Sequence, residues 1–209
     1  MARYIDANCK LCRRERQKLF LKGSKCFTEK CPVERRNFPP GQHAQNRRGK
    51  FSEYSVQLRE KQRVRRTYGV LEAQFRNYFD RARQQTGKTG ETLMKVLERR
   101  LDNVVFRLGF APSRKAGRQL IRHRHFLVNN KIVDIPSYLL NPGDTIQVRE
   151  ASKKLEVIHS SLKRMKDTQG PGWLSVDKAN LTGTFLRVPE REEMMIPFNE
   201  QLIVELYSK

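Results

Sequence analysis

Residues 98–150 read ERRLDNVVFRLGFAPSRKAGRQLIRHRHFLVNNKIVDIPSYLLNPGDTIQVRE, and this stretch decides the fold. Leu101, Val104, Val105 and Leu108 recur at i, i+3, i+4 and i+7, which buries one side of a helix, and Gly109 ends it. Pro112 and Ser113 open a second helix, with Ser113 placed as its N-cap. There Arg114, Arg118 and Arg122 recur every four residues and form one ridge, while Gly117, Leu120 and Ile121 point toward a core. Residues 126–129 and 131–133 read as strands joined at Asn129-Asn130, because Asn tolerates the positive φ of a two-residue hairpin turn. The turn Asn141-Pro142-Gly143-Asp144 leads to a further strand at 146–148. The pattern predicts a small α/β module with an antiparallel sheet. Five Arg or Lys and no acid lie between Ser113 and His125. With no acid to pair, this ridge favours phosphate, and arginine's planar fork adds directional hydrogen bonds. The candidate contacts here are Arg114, Lys115, Arg118, Arg122 and His123.

The rest of the chain extends that basic character. Its 209 residues allow one or two domains and a modest core. A net charge of +21, from 43 Lys and Arg against 22 Asp and Glu, opposes compactness through self-repulsion unless a polyanion neutralises it. Nucleic acid is the natural partner, because each neutralised phosphate releases counterions. An anionic membrane is the competitor, but no run approaches the roughly 18 apolar residues of a span, and the basic residues are spread over several elements. The N-terminus MARYIDANCKLCRRER lacks the apolar core of a secretory signal. A cytoplasmic protein with reduced cysteines is therefore expected.

All four cysteines, Cys9, Cys12, Cys26 and Cys31, fall in the arm 1–50. Two close pairs joined by a short loop let four thiolates converge on one structural Zn(II), a site with no open position for substrate. The arm has few apolar residues, so metal would supply stability it otherwise lacks. Lys10, Arg13, Arg14, Lys25 and Lys30 are expected to favour the thiolates. Four unrelated reduced cysteines, or a redox-sensitive cluster, are the alternatives. Next, Asn37-Phe38-Pro39-Pro40-Gly41 makes a rigid turn ending in Gln42 and His43, flanked by Arg35, Arg36, Arg47, Arg48 and Lys50. It suits docking on a phosphate backbone, with a solvated linker as the bland alternative. Arg3, Arg13 and Arg14 join the same candidate surface. Residues 1–66 hold 19 Lys and Arg against 6 Asp and Glu, most of the excess charge.

Ser52 caps a helix expected to run to about Arg66, with Tyr54, Leu58 and Gln62 on one side and Arg59, Lys61, Arg63, Arg65 and Arg66 crowding the rest. These cations, with Tyr54 and Tyr68, are further RNA candidates. Leu71, Phe75, Tyr78, Phe79 and Ala82 repeat at three and four, the stripe of a core-facing helix, and residues 91–97 begin another. A basic helix over 152–165 precedes strands at 173–176 and 184–187, which extend the central sheet with Trp173 as a core anchor. From Arg187 onward three basic residues meet five Glu. That end either packs back on the first helical region through Leu202, Ile203 and Leu206 or offers acid to a basic protein neighbour. The fold class is α+β, arranged as a zinc-binding basic arm (1–50), a helical domain (51–97, completed by 187–209) and an RNA-binding module with its sheet extension (98–186).

RLDNVVFRLGFAPSRKAGRQLIRHRHFLVNNKIV and the following PGD turn resemble the small RNA-binding fold of the bacterial small-subunit ribosomal protein four family. PPGQH, YSVQLREKQRVRRTYGVLEAQFRNYF, LRVPEREEM and the ending NEQLIVELYSK resemble the same family, so the likeness covers essentially the whole chain in order. The family often has Ala at Gly117, Gly at Arg124 and Gly at Asn130, and many members lack the four cysteines. The resemblance implies a structural ribosomal protein that binds small-subunit rRNA directly and nucleates assembly. It also implies a contribution to translational accuracy, with Arg47, Arg48 and Lys50 facing incoming messenger RNA and ribosomal proteins three and five as neighbours.

Two other readings follow from the same residues. Some family members repress their own messenger RNA, so a free-standing translational regulator is one. RNA pseudouridine synthases sometimes carry this module with a catalytic Asp in an Arg-Leu-Asp motif, which Arg100-Leu101-Asp102 matches. Here the tripeptide lies on an amphipathic helix with no second catalytic domain of sufficient length, so Asp102 reads as a helix-surface or ion-pairing residue. His43, His123, His125 and His159 form no metal or nucleophile spacing.

Overall fold

A computed structural model of the chain describes residues 3–42, 52–164, 171–194 and 197–208. Its helices are α1 (Asn8–Glu15), α2 (Pro32–Arg35), α3 (Glu53–Tyr68), α4 (Glu72–Arg83), α5 (Thr89–Glu98), α6 (Leu101–Arg107), α7 (Arg114–Arg122), α8 (Glu156–Leu162) and α9 (Glu200–Tyr207). The strands are β1 (Phe126–Val128), β2 (Lys131–Ile132), β3 (Thr145–Val148), β4 (Leu174–Asp177) and β5 (Thr182–Phe185), and 3-10 turns occupy Gly23–Phe27 and Glu150–Ser152. The chain divides into two compact units, Met1–Leu93 with Ile196–Lys209, and Met94–Met195.

In the first unit the Oγ of Ser52 accepts from the Ser55 N–H at 3.2 Å and caps α3. At the far end Gly69 takes the left-handed φ of 66° that closes the helix. The buried face of α3 carries Gln57, Glu60, Lys61, Val64 and Tyr68, not the side of Tyr54, Leu58 and Gln62 expected from the sequence. An apolar-stripe reading missed that face because most of its buried residues are polar, and Gln57, Glu60 and Lys61 find partners outside α3. The α4 stripe is buried as expected at Phe75, Tyr78, Phe79 and Ala82. The last helix, α9, completes this unit. Its Ile203 is fully buried, and Tyr207 stacks on Phe79 with ring centroids 4.5 Å apart. Gln57 donates to Glu205 at 3.1 Å, and the Asn199 N–H donates to Glu60 at 3.0 Å.

The second unit has α6 and α7 packed on an antiparallel sheet of order β2-β1-β3-β5-β4. Its core gathers Leu101, Val104, Val105 and Leu108 of α6, Ile121 of α7, and Phe126, Ile146, Val148 and Phe185 of the sheet. Asn129 and Asn130 hold φ of 49° and 63°, the two positive values of a type I′ hairpin. The Asn129 side chain also accepts from the Thr145 N–H at 2.9 Å and donates to Asp144 at 2.8 Å. Trp173 is buried edge-on to Phe185 at 5.7 Å, so β4 and β5 do extend the sheet. Gly117 lets α7 approach α6, since a Cβ there would lie 3.1 Å from the Asp102 carbonyl oxygen. The basic helix expected over 152–165 is broken instead. A 3-10 turn at Glu150–Ser152 comes first, and α8 begins only at Glu156.

Candidate nucleic-acid interface

α7 starts as the sequence predicts, with Ser113 Oγ accepting from the Ala116 N–H at 3.2 Å. Its arginines, however, do not form one solvent-facing ridge. Arg114 donates through Nε to Asn103 Oδ1 at 2.7 Å and lies over the Phe106 ring, 4.7 Å from the centroid. Arg118 is only 8% exposed, and its guanidinium reaches Asp102 at 3.5 Å. Asp102 also receives the Arg100 guanidinium at 3.0 and 2.6 Å, and Arg100 is fully buried. The ridge expected to have no acid beside it therefore has one, contributed by α6. Asp102 lies sixteen positions before Arg118, so a count confined to one helix misses it. Asp102 is ion-paired but not on the surface.

The open end of α7 is its C-terminus. Arg122, His123 and Arg124 are exposed. Arg124 takes φ 62° and donates its N–H to the Ile121 carbonyl at 2.8 Å, so the helix ends in left-handed geometry without the usual glycine. Its guanidinium lies 3.2 Å from Asp134. The exposed Arg149, at the end of β3, is tied to this end by a 2.9 Å bond from its N–H to the His125 carbonyl. Arg149 and the exposed Lys131 escaped the sequence reading, because only strand pairing brings β3 beside β1, the strand that follows α7. His125 bonds Ser152 Oγ through Nδ1 at 2.8 Å and meets His123 edge-on at 6.0 Å. Burial lowers the His125 pKa below the usual imidazole range, and the charges of His123 and Arg149 push it the same way. Lys115 is half-buried.

On α3 the cations expected to face RNA meet acids of their own unit. Glu15, buried, receives Arg59 at 3.2 Å and a close contact from Arg66. Burial pushes the Glu15 carboxyl up while the two guanidiniums pull it down, and burial lowers Arg66 in turn. Lys61 is buried, 2.5 Å from Glu72 and over the Tyr207 ring at 5.3 Å. Arg63 pairs with Glu60 at 2.8 Å. Arg65 takes Gln62 at 2.7 Å and lies 3.5 Å from Glu72. Tyr68 is 1% exposed and belongs to the core, which removes it as an RNA contact. Tyr54 is 57% exposed and stays a candidate.

In the arm, Arg13 donates to the Phe38 carbonyl at 3.0 Å and stacks over the Phe38 ring at 4.8 Å, so it pins the Pro-Pro turn to α1. Arg3, Arg14, Arg35, Arg36 and Gln42 are exposed. His43, Arg47, Arg48 and Lys50 lie outside the described residues.

The four cysteines come from α1 (Cys9, Cys12), the 3-10 turn (Cys26) and the residue before α2 (Cys31), and all four line one small cavity. They are free thiols, and the Lys22 N–H donates to Cys26 Sγ at 3.4 Å. The basic neighbours do not bring Cys12 or Cys26 below the ordinary thiol range. Burial pushes Cys12 up to about 11, and burial also raises Cys26. As the side chains stand, no three His, Cys, Asp or Glu groups among the described residues are gathered closely enough to hold a metal ion. The donor types and their common cavity suit a soft divalent cation, while the sulfurs stand short of ligand geometry.

Among the described residues no helix is long and apolar enough to cross a membrane. Residues 3–98 match the ribosomal protein S4/S9 N-terminal domain, and residues 99–146 match the S4 domain. Across the full length of both chains, the sequence is 57% identical to small ribosomal subunit protein uS4 of Thermodesulfovibrio yellowstonii. The corresponding proteins of Syntrophobacter fumaroxidans and Geotalea daltonii, also named small ribosomal subunit protein uS4, are each 56% identical over the same full span. The chain belongs to the uS4 family. The S4-domain match ends at residue 146 inside β3, so the β4–β5 hairpin of the sheet lies beyond it.

Proposed function

We propose that the protein is a cytoplasmic structural component of the small ribosomal subunit that binds small-subunit rRNA directly. It is not an enzyme. The observation that carries this reading is the full-length relationship to small ribosomal subunit proteins, which spans both compact units without a gap in coverage. The surface chemistry supports it. Exposed cations at the end of α7 and along the arm offer phosphate contacts on broad surfaces, and RNA helices present backbone and hydroxyls more readily than base edges. A pseudouridine-synthase role for Asp102 is incompatible with its position, since both carboxylate oxygens are engaged by the buried Arg100. Affinity for small-subunit rRNA should fall steeply with salt. Chemical footprinting of that RNA with and without the protein tests the reading, and an unchanged footprint at saturating protein would sink it.

The finer reading is that binding occurs early and nucleates assembly around a multi-helix junction. In it, the stretch with Arg47, Arg48 and Lys50 meets incoming messenger RNA and contributes to translational accuracy. Ribosomal proteins three and five are the neighbours, met by the acid-rich C-terminal stretch, where Glu190 and Glu192 are exposed.

One structural Zn(II) held by Cys9, Cys12, Cys26 and Cys31 belongs to the same reading. The support is that thiols from three separate elements line one cavity, with a backbone N–H already donating to Cys26 Sγ. Metal analysis of protein purified with reduced cysteines should return about one zinc per chain. A ratio near zero would remove the metal from this reading and leave the RNA-binding function intact.

A further inference from the structure

Two phenylalanines of the arm face outward beside residues that are buried. Leu19 and Cys26 are in the core, whereas their neighbours Phe20 and Phe27 are 41% and 74% exposed. The two rings stack with centroids 4.9 Å apart and 28° between their planes. Phe20 also holds φ 51°, a left-handed conformation that bulky side chains rarely adopt and that concentrates at functional positions. A stacked pair left this exposed, with one ring on left-handed backbone, buries too little apolar surface to account for that strain, so its use lies in what it contacts.

The surrounding charge narrows that contact. Residues 16–30 carry five Lys or Arg and one acid, Glu29, and Lys22, Lys25 and Lys30 beside the pair are exposed. We infer that Phe20 and Phe27 form a stacking platform for an unpaired nucleobase of RNA, with the neighbouring lysines taking the flanking phosphates. Single-stranded nucleotides are bound by this combination of aromatic faces and cations. A protein neighbour would gain from the rings alone and has no need of the cations around them. The inference rests on the reading that the chain binds small-subunit rRNA and adds a base-contacting site on the arm.

The test compares the full-length parent with Phe27→Leu and Phe27→Trp in binding to small-subunit rRNA. Phe27 is exposed, so both variants should melt like the parent. Phe27→Leu keeps apolar area but loses the ring face and should weaken binding by roughly fivefold or more. The slope of affinity against salt should not change, because no phosphate contact is lost. Phe27→Trp should restore the affinity. A photoreactive phenylalanine analogue at position 27 should crosslink to an rRNA nucleotide in the assembled small subunit. Parental affinity in Phe27→Leu, failure of Phe27→Trp to restore binding, or a crosslink to a protein would each overturn the platform while leaving rRNA binding in place. A parent that does not bind small-subunit rRNA would overturn the underlying reading and the platform with it.

Discussion

α3 and α7 both carry cations at helical spacing, and on paper both are RNA-binding helices. On α3 the structure answers Arg59, Lys61, Arg63, Arg65 and Arg66 with Glu15, Glu60 and Glu72, acids drawn from α1, from α3 itself and from α4. On α7 the first part is answered by Asn103 and Asp102 of α6, whereas Arg122 and His123 at its C-terminal end are exposed. The cations of a helix therefore divide into those that hold the fold and those left for a polyanion, and position relative to neighbouring elements decides which. A charge count along the chain measures their sum. The excess of +21 remains, but formal charge along the chain does not show which cations are left exposed.

The largest expected effect tests the inward-facing half of α7. Removing the carboxylate with Asp102→Ala leaves Arg100 charged, fully buried and without its acid, and deprives Arg118 of the same partner. Losing one partner of such a buried pair costs about 3–5 kcal/mol, because the buried guanidinium loses the acid that faces it. Urea unfolding of the full chain measures it. A loss under about 1 kcal/mol, near the ceiling for an exposed pair, would show that Asp102 is not the acid that holds this cluster.

Next comes the contrast between the outward end of α7 and the inward face of α3. The double reversal Arg122→Glu with Arg149→Glu should weaken binding to small-subunit rRNA by roughly 10- to 100-fold near 0.1 M salt. It should also reduce the salt slope by about two phosphate contacts, with little change in stability because both residues are exposed. Lys61→Ala should do the opposite. It removes a 2.5 Å contact to Glu72 and the cation over Tyr207, costing about 1–3 kcal/mol of stability without changing the salt slope. Equal effects of the two changes on RNA affinity would break the comparison.

Much of this organisation was legible from local chemistry. Ser52 and Ser113 cap the helices they were expected to cap, because a hydroxyl before a helical run has one favourable use. Asn129-Asn130 made the hairpin legible through the positive φ that Asn tolerates, and Trp173 through its size. What escaped notice depends on partners distant in sequence. The burial of Lys61 and Glu60 needs Glu72 and Asn199, and the burial of Arg118 needs Asp102. α1 escaped for another reason, since no side chain caps its N-terminus and its sequence is dominated by cations and cysteines. Of the candidate site, the end of α7 and the exposed arm residues keep an outward position. Tyr68, Lys61 and Arg118 do not, because each completes packing or an ion pair inside its own unit.

The smallest expected effect probes how that open end of α7 responds to acid. Burial first, and then the charges of His123 and Arg149, holds the folded His125 pKa below its ordinary 6.5. The unfolded chain therefore binds a proton at this residue more readily than the folded one. Stability contributed here is present above pH 6.5, where both forms are neutral. It is lost as pH falls from 6.5 toward the lower folded value, because only the unfolded form is then charging. In His125→Asn the titrating group is gone, so this part of the pH dependence should vanish. The Ser152 hydroxyl, 2.8 Å from the imidazole in the parent, still faces a polar side chain in that variant. Thermal melts of parent and variant between pH 5 and pH 8 measure the difference. Bound RNA should shrink it, since phosphates beside Arg149 and His123 favour the protonated imidazole that the bare surface disfavours. A parent and a variant with the same pH slope would show that His125 is no more constrained than a free histidine. The C-terminal end of α7 would then be open in the way an ordinary solvated helix end is, and its contrast with the interior of α3 would rest on Arg122 and Arg149 alone.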